Sequence, residues 1–105
     1  MAYDSRGTQI HALLPVDGRK VVATAGVAEA FSVTLLIVTE ITITAERDNG
    51  GFIAVGASTV VAAEGSERGD VLGPGDSVTV EAIDLATLYL NATVSGDGVT
   101  YFYQH

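Results

Sequence analysis

Ile41-Thr42-Ile43-Thr44-Ala45 alternates apolar and polar residues with period two, and two further stretches do the same. Ser77-Val78-Thr79-Val80-Glu81-Ala82 sets Val78, Val80 and Ala82 to one side. Leu88-Tyr89-Leu90-Asn91-Ala92-Thr93-Val94 sets Leu88, Leu90, Ala92 and Val94 to one side. Successive side chains of a strand point to opposite faces, so this alternation marks strands with one face on a core. Working outward, the apolar runs give strands at 20–25, 31–45 (continuous or broken), 52–57, 77–83, 87–94 and 99–103. An earlier one near 9–14 ends at Pro15 and Asp17-Gly18.

The punctuation supports an all-β chain. Asn49-Gly50, within Asp48-Asn49-Gly50-Gly51, suits the mirror-image turns of a tight β-hairpin. Pro74-Gly75 suits the central positions of a type II turn, Pro fixing φ and Gly supplying a positive one. Gly96-Asp97-Gly98 separates the last two strands. Ala25 to Phe31 holds helix-forming residues, but Gly26 interrupts them and no 3.6-residue stripe follows. Glu64 to Gly75, rich in glycine and acids, reads as an exposed loop. Many short strands with close turns imply a single antiparallel β-sandwich, Ig-like or jelly-roll-like, with a small β-barrel as the alternative. Residues 1–19 are expected to form an N-terminal arm or edge segment and residues 20–105 the sandwich.

With 105 residues and 10.8 kDa, the chain is one domain's worth of protein, enough to bury a modest core. Hydrophobic residues are 48% and charged residues 17%, with a mean hydropathy of +0.36, the reverse of a disordered composition. Thirteen acids against five bases give a net charge of -8 and a pI near 4.3. Lys20 is the one lysine, and no Lys or Arg follows Arg68. A nucleic-acid partner, whose phosphates demand cations, is excluded on this count. No apolar run approaches the roughly 20 residues of a membrane helix, and no signal peptide is visible at the N-terminus. The expectation is a soluble protein made in the cytoplasm, with no membrane partner.

Chemistry is scarce. There is no cysteine, which removes disulfides, thiolate metal sites and cysteine nucleophiles. The two histidines, His11 and His105, are too few for a zinc site, and no nucleophile-elbow motif is present. Asp17, Asp48, Asp70, Asp76 and Asp97 lie next to or within one residue of a glycine, where turn chemistry accounts for them. Glu64, Glu67 and Asp70 could at most form a surface calcium site. An enzyme would need two of His11, Ser77 and Asp84 in one cleft. Gly69 to Gly75 lacks the Lys and the helix of a phosphate loop. Asn91-Ala92-Thr93 matches a glycosylation acceptor by chance, inside an expected strand. No enzyme activity, cofactor or metal is expected.

The aromatic residues are more informative. If Val99, Tyr101 and Tyr103 face the core, Phe102 faces out. If Ile53 and Val55 are core, Phe52 lies on the opposite face, beside Thr42 and Thr44 across the Asn49-Gly50 hairpin. Tyr89 likewise opposes Leu88 and Leu90. Thr42, Thr44, Phe52, Tyr89 and Phe102 therefore form the candidate interface, an apolar outer face meant for another subunit. The scarcity of lysine, the usual guard on edge strands, points the same way.

From about residue 37 the order of elements resembles a known family. Ile41-Thr42-Ile43-Thr44-Ala45-Glu46-Arg47-Asp48-Asn49-Gly50-Gly51-Phe52-Ile53-Ala54-Val55-Gly56 is a strand, a polar turn and a strand. Leu72-Gly73-Pro74-Gly75-Asp76-Ser77-Val78-Thr79-Val80, Leu85-Ala86-Thr87-Leu88-Tyr89-Leu90 and Gly98-Val99-Thr100-Tyr101-Phe102-Tyr103 follow. The pattern, over about two-thirds of the chain, is similar to small β-sandwich structural proteins of tailed bacteriophages. The resemblance implies a virion component on the head surface, a decoration or cement protein bridging major capsid protein subunits. A tail, connector or head-fibre position is the alternative. Homo-oligomerisation is compatible with this reading, in an order the sequence does not fix. A different class, a module binding host carbohydrate through Phe52, Tyr89 or Phe102, stands beside it.

Overall fold

The computed structural model describes residues 2–3, 9–10 and 14–104. Its elements are β1 (Ala2–Tyr3), β2 (Gln9–Ile10), β3 (Pro15–Val21), β4 (Glu29–Ala30) and β5 (Ile37–Ala45), followed by β6 (Ile53–Gly56), β7 (Asp70–Leu72), β8 (Ser77–Asp84), β9 (Tyr89–Ala92) and β10 (Gly98–Gln104). Among the described residues there is no helix, hence none long and apolar enough to cross a membrane. β1 and β2 pair with each other as sheet A; the other eight strands form two antiparallel four-stranded sheets, B and C. Sheet B runs β3-β10-β5-β8 and sheet C runs β4-β9-β6-β7. Counted from β3, this is the strand order of an eight-stranded jelly roll. Of the sandwich types expected, the jelly roll is the one formed.

The core lies between the sheets. Ile41, Ile43, Ala45 and Val99 of sheet B meet Ile53, Val55, Leu72, Leu90 and Ala92 of sheet C, with Val22, Val38, Leu85 and Leu88 completing the layer. Tyr101 and Tyr103 stack on the same side (centroids 5.9 Å), and Phe31 meets Tyr101 edge-on at 5.4 Å. Val78 and Val80 also face inward as expected; the side chain of Ala82 lies outside the described residues, as do His11 and His105. Val94 does not continue the buried row: β9 ends at Ala92 and Val94 is exposed.

Only β6 and β7 are consecutive sandwich strands paired in one sheet; every other connection crosses to the opposite sheet. The expected Asn49-Gly50 hairpin is therefore absent. β5 belongs to sheet B and β6 to sheet C, and Gly50 does not take the positive φ that a mirror-image turn requires. The competing interaction is distant in sequence. Asp97 accepts the N–H groups of Gly50 (2.9 Å) and Gly51 (2.8 Å). The Asn49 carboxamide donates to the Gly98 carbonyl and accepts the Gly98 N–H, both at 2.9 Å. Pro74-Gly75 does form its turn, with Gly75 at φ 85° and the Asp76 N–H donating to the Gly73 carbonyl at 2.9 Å. That turn carries the chain from sheet C back to sheet B.

Other expectations change as well. The first sandwich strand is Pro15–Val21, not 20–25, so the expected boundary at 19/20 falls inside β3. Pro15 starts an edge strand, where its missing donor is harmless. Gly18 sits mid-strand because the Tyr101 ring lies across it: a β-carbon there would stand 2.6 Å from Tyr101 Cζ. The stretch 31–36 is not strand, and β7 emerges from the segment read as loop, contributing Leu72 to the core.

Replacing Asp97 with alanine leaves two backbone donors without their carboxylate partner at the junction of the sheets. We expect a loss of roughly 3 kcal/mol of unfolding free energy in urea titration. A loss under about 1 kcal/mol would show that water replaces the carboxylate and that the junction is not held this way.

Candidate functional site

The outer faces of the two sheets differ. On sheet C, Ala54 and Val71 point away from the core, yet Ala54 is buried. The chain between β6 and β7 folds back over them, burying Val60 and Ala62 against Ala54, with Tyr89, Val71 and Ala28 packed alongside. An isolated bridge, Val61 with Arg68, stiffens this excursion. Asn91 secures it, donating from Nδ2 to the Val60 carbonyl at 3.0 Å while its Oδ1 accepts the Ala92 N–H. Asn91 is buried, so the acceptor-like Asn91-Ala92-Thr93 is a structural element.

Sheet B carries no such cover among the described residues. Its outer face is built from alternate residues of four strands, set opposite one another by the register. Thr100, Thr44 and Ser77 form one row; Asp17, Phe102, Thr42 and Thr79 form the next. Thr42 Oγ1 and Thr79 Oγ1 lie 3.1 Å apart, and Thr44 Oγ1 and Ser77 Oγ lie 2.7 Å apart. Such cross-strand pairs contribute about 0.2–1 kcal/mol each, one hydroxyl of each pair donating to the other. Phe102 stands among them, 48% exposed.

Phe102 separates two hollows. One, of about 490 Å³, is lined by Asp17, Arg19, Thr42, Thr44 and Thr100; the other, of about 390 Å³, by Thr39, Glu40, Glu81, Tyr103 and Gln104. Glu40 and Glu81 are directly opposed across β5 and β8, both exposed, a like-charge pairing unfavourable in an isolated sheet. Arg19 is already engaged: its Nε donates to Glu46 Oε2 at 2.7 Å. That hydrogen bond and the charge of Glu46 hold the guanidinium above its ordinary pKa. The face is thus a paired-hydroxyl plane with one aromatic projection and an acidic margin.

Thr42, Thr44 and Phe102, three of the five expected interface residues, come together here. Phe52 and Tyr89 do not. Phe52 belongs to the other sheet's end, where its N–H donates to Thr93 Oγ1 at 2.9 Å and its ring approaches Gly73. Tyr89 is half-buried against the excursion on sheet C. Placing Phe52 beside Thr42 and Thr44 required the hairpin that Asp97 replaces. Asp17, Thr79, Glu81 and Gln104 complete the sheet B face; strand parity marks them as outward once the pairing is known.

A concavity of about 1040 Å³ lies at the excursion on sheet C, lined by Phe52, Val61, Ala63, Val71 and Val94 with Glu64 and Glu67. Glu67 accepts the Gly65 N–H, and no group of three or more metal-ligating side chains converges among the described residues. Ser77 and Asp84 stand at opposite ends of β8, and the Asp84 carboxylate accepts the N–H groups of Leu36 and Ala86. No protein-family model matches the chain, and no curated protein matches its sequence.

Opposite orientations of adjacent aromatics give a direct check. Phe102→Ser removes a ring outside the core and should cost under about 1 kcal/mol, a shift below about 8 °C in Tm. Tyr101→Ala removes a ring packed inside and should cost roughly 3 kcal/mol or more. Equal losses in calorimetry would contradict the assignment of faces.

Proposed function

We propose that this chain is a non-enzymatic structural component of a tailed-phage particle, a head decoration or cement protein that docks through the outer face of sheet B. The observation that carries the reading is the inequality of the two faces. The chain covers sheet C itself, while among the described residues nothing covers sheet B, where Phe102 projects from hydroxyls paired across the strands. A half-exposed aromatic on such a plane is a natural anchor for a protein partner. Two further points support it. The jelly roll is an architecture used by viral shell domains. The strand and turn sequences from Ile41 to Tyr103 resemble those of small phage structural proteins.

The mechanism is adhesion. A decoration protein spans neighbouring shell subunits, and the area buried at their junctions resists expansion of the shell. Asp17, Glu40 and Glu81 on the docking face favour a basic patch on the major capsid protein. Opposed cations there would relieve the Glu40–Glu81 pairing. In this reading the protein is made in the host cytoplasm and resides on the head surface. A tail, connector or head-fibre position would use the same face with a different partner.

One observation favours a second reading, recognition of a host carbohydrate. Phe102 stands between hollows lined by carboxylates, hydroxyls and the Gln104 amide, groups that stack on and hydrogen-bond to a sugar ring. The jelly roll is also a lectin architecture.

Quantitative mass spectrometry of purified particles whose genome encodes this chain separates the readings. Decoration requires about one copy per one to three shell subunits, the range expected of an interface repeated across the lattice. It also requires that Phe102→Asp protein no longer bind particles stripped of the native chain. A handful of copies, or none, would remove the protein from the shell. Glycan-array binding that disappears in the same variant would then favour the carbohydrate reading.

A further inference from the structure

Two dipeptides prone to self-modification meet at the junction of the sheets. Asn49-Gly50 and Asp97-Gly98 each set a side-chain carbonyl carbon just before a glycine nitrogen. In a mobile chain that nitrogen attacks the carbon, because glycine has no β-carbon to shield it and its backbone turns freely. The new C–N bond closes a five-membered succinimide. The glycine nitrogen loses its proton; asparagine expels Nδ2 as ammonia, and aspartate expels an oxygen as water. A water molecule then opens the ring at either carbonyl, leaving aspartate or its isomer isoaspartate. Nothing but water is consumed.

The fold sets these two dipeptides against each other. The Gly50 N–H, whose nitrogen would attack Asn49, donates to Asp97 Oδ1 at 2.9 Å. The Gly98 N–H, whose nitrogen would attack Asp97, donates to Asn49 Oδ1 at 2.9 Å. Each side chain therefore holds the nitrogen that threatens the other. Asn49 Nδ2, the group that would leave, donates to the Gly98 carbonyl at 2.9 Å, and Asp97 Oδ2 accepts the Gly51 N–H at 2.8 Å. Ring closure at residue 49 swings the carboxamide back onto its own chain and breaks both of its bonds to Gly98. Asp97 is buried and Asn49 half-buried, so water offers little compensation for those bonds.

We propose that Asn49 is a modification site, shielded while the sheets are joined and converted to aspartate or isoaspartate when the junction opens. The conversion is one-way. The new carboxylate has no N–H to give the Gly98 carbonyl, and it places a negative charge close to that of Asp97. Isoaspartate also adds a backbone carbon to the connection between β5 and β6. A junction that has opened and reacted no longer closes as before, so a transient opening becomes a lasting loss. Asp97-Gly98 follows the same course more slowly, because an ionised carboxylate resists attack. Asn91 is the other asparagine; it is buried and precedes alanine, which makes it a control within the chain. This inference does not rest on the virion reading.

Peptide mapping by mass spectrometry of the full chain, incubated in mildly alkaline buffer, tests it. Asn49 should convert readily in guanidinium and at least about tenfold more slowly in the folded protein, where only opened junctions react. Asn91 should lag behind it in guanidinium. Gly50→Ala should remove most of the conversion in guanidinium. An added β-carbon there has the Val94 side chain at 3.7 Å as its nearest neighbour beyond the adjoining residues, so the variant fits the fold. Asp97→Ala frees the Gly50 nitrogen and should speed conversion under folding conditions beyond Tyr101→Ala, a destabilising change away from the junction. Equal rates in folded and unfolded wild-type protein overturn the proposal, a comparison that stands even where Asp97→Ala fails to fold. Undiminished conversion in Gly50→Ala refutes the ring-closing route. Equal rates in folded Asp97→Ala and Tyr101→Ala refute the mutual shielding, leaving global unfolding as the gate.

Discussion

Asp97 and Asn49 tie the two sheets together at one end. Asp97 takes the N–H groups of Gly50 and Gly51, where the chain enters sheet C, and the Asn49 carboxamide pairs with both backbone groups of Gly98, where it returns to sheet B. The jelly roll makes such a tie necessary. With one exception its strands are joined to partners in the other sheet, so local turns cannot set which strands lie side by side. Asp97 is buried, a position in which a carboxylate without partners would cost several kcal/mol. Its two backbone donors offset that cost, and no buried side-chain polar atom among the described residues lacks a partner. Most contacts in this architecture join residues distant in sequence, which implies slow folding for a domain of this size.

The same constraint explains what the sequence disclosed. Period-two alternation located β8, β9 and the second half of β5, the run after Gly98 gave β10, and parity correctly divided Tyr101 and Tyr103 from Phe102. Pairing was another matter. Asn49-Gly50 is a strong local hairpin signal, and it lost to a carboxylate 46 or more residues away. Asp17-Gly18 looked like a turn because the reason for the glycine, the Tyr101 ring, is carried on another strand. β7 was hidden because Asp70-Val71-Leu72 is short and flanked by glycines and acids. Its one core residue, Leu72, is defined only by pairing with Ile53. The candidate face was legible where it depended on parity (Thr42, Thr44, Phe102) and lost where it depended on topology (Phe52, Tyr89).

The two outer faces show why similar compositions end differently. Ala54 and Val71 on sheet C are small and apolar, so an excursion bearing Val60 and Ala62 can settle on them. Asn91 then fixes the cover through the Val60 carbonyl. Sheet B presents threonine and serine instead. Their hydroxyls bond to one another in pairs, which leaves one free O–H donor per pair instead of two. A face of that kind is wet enough to remain open in the isolated molecule. It is also inexpensive to dehydrate when a partner arrives, because its internal hydrogen bonds survive docking.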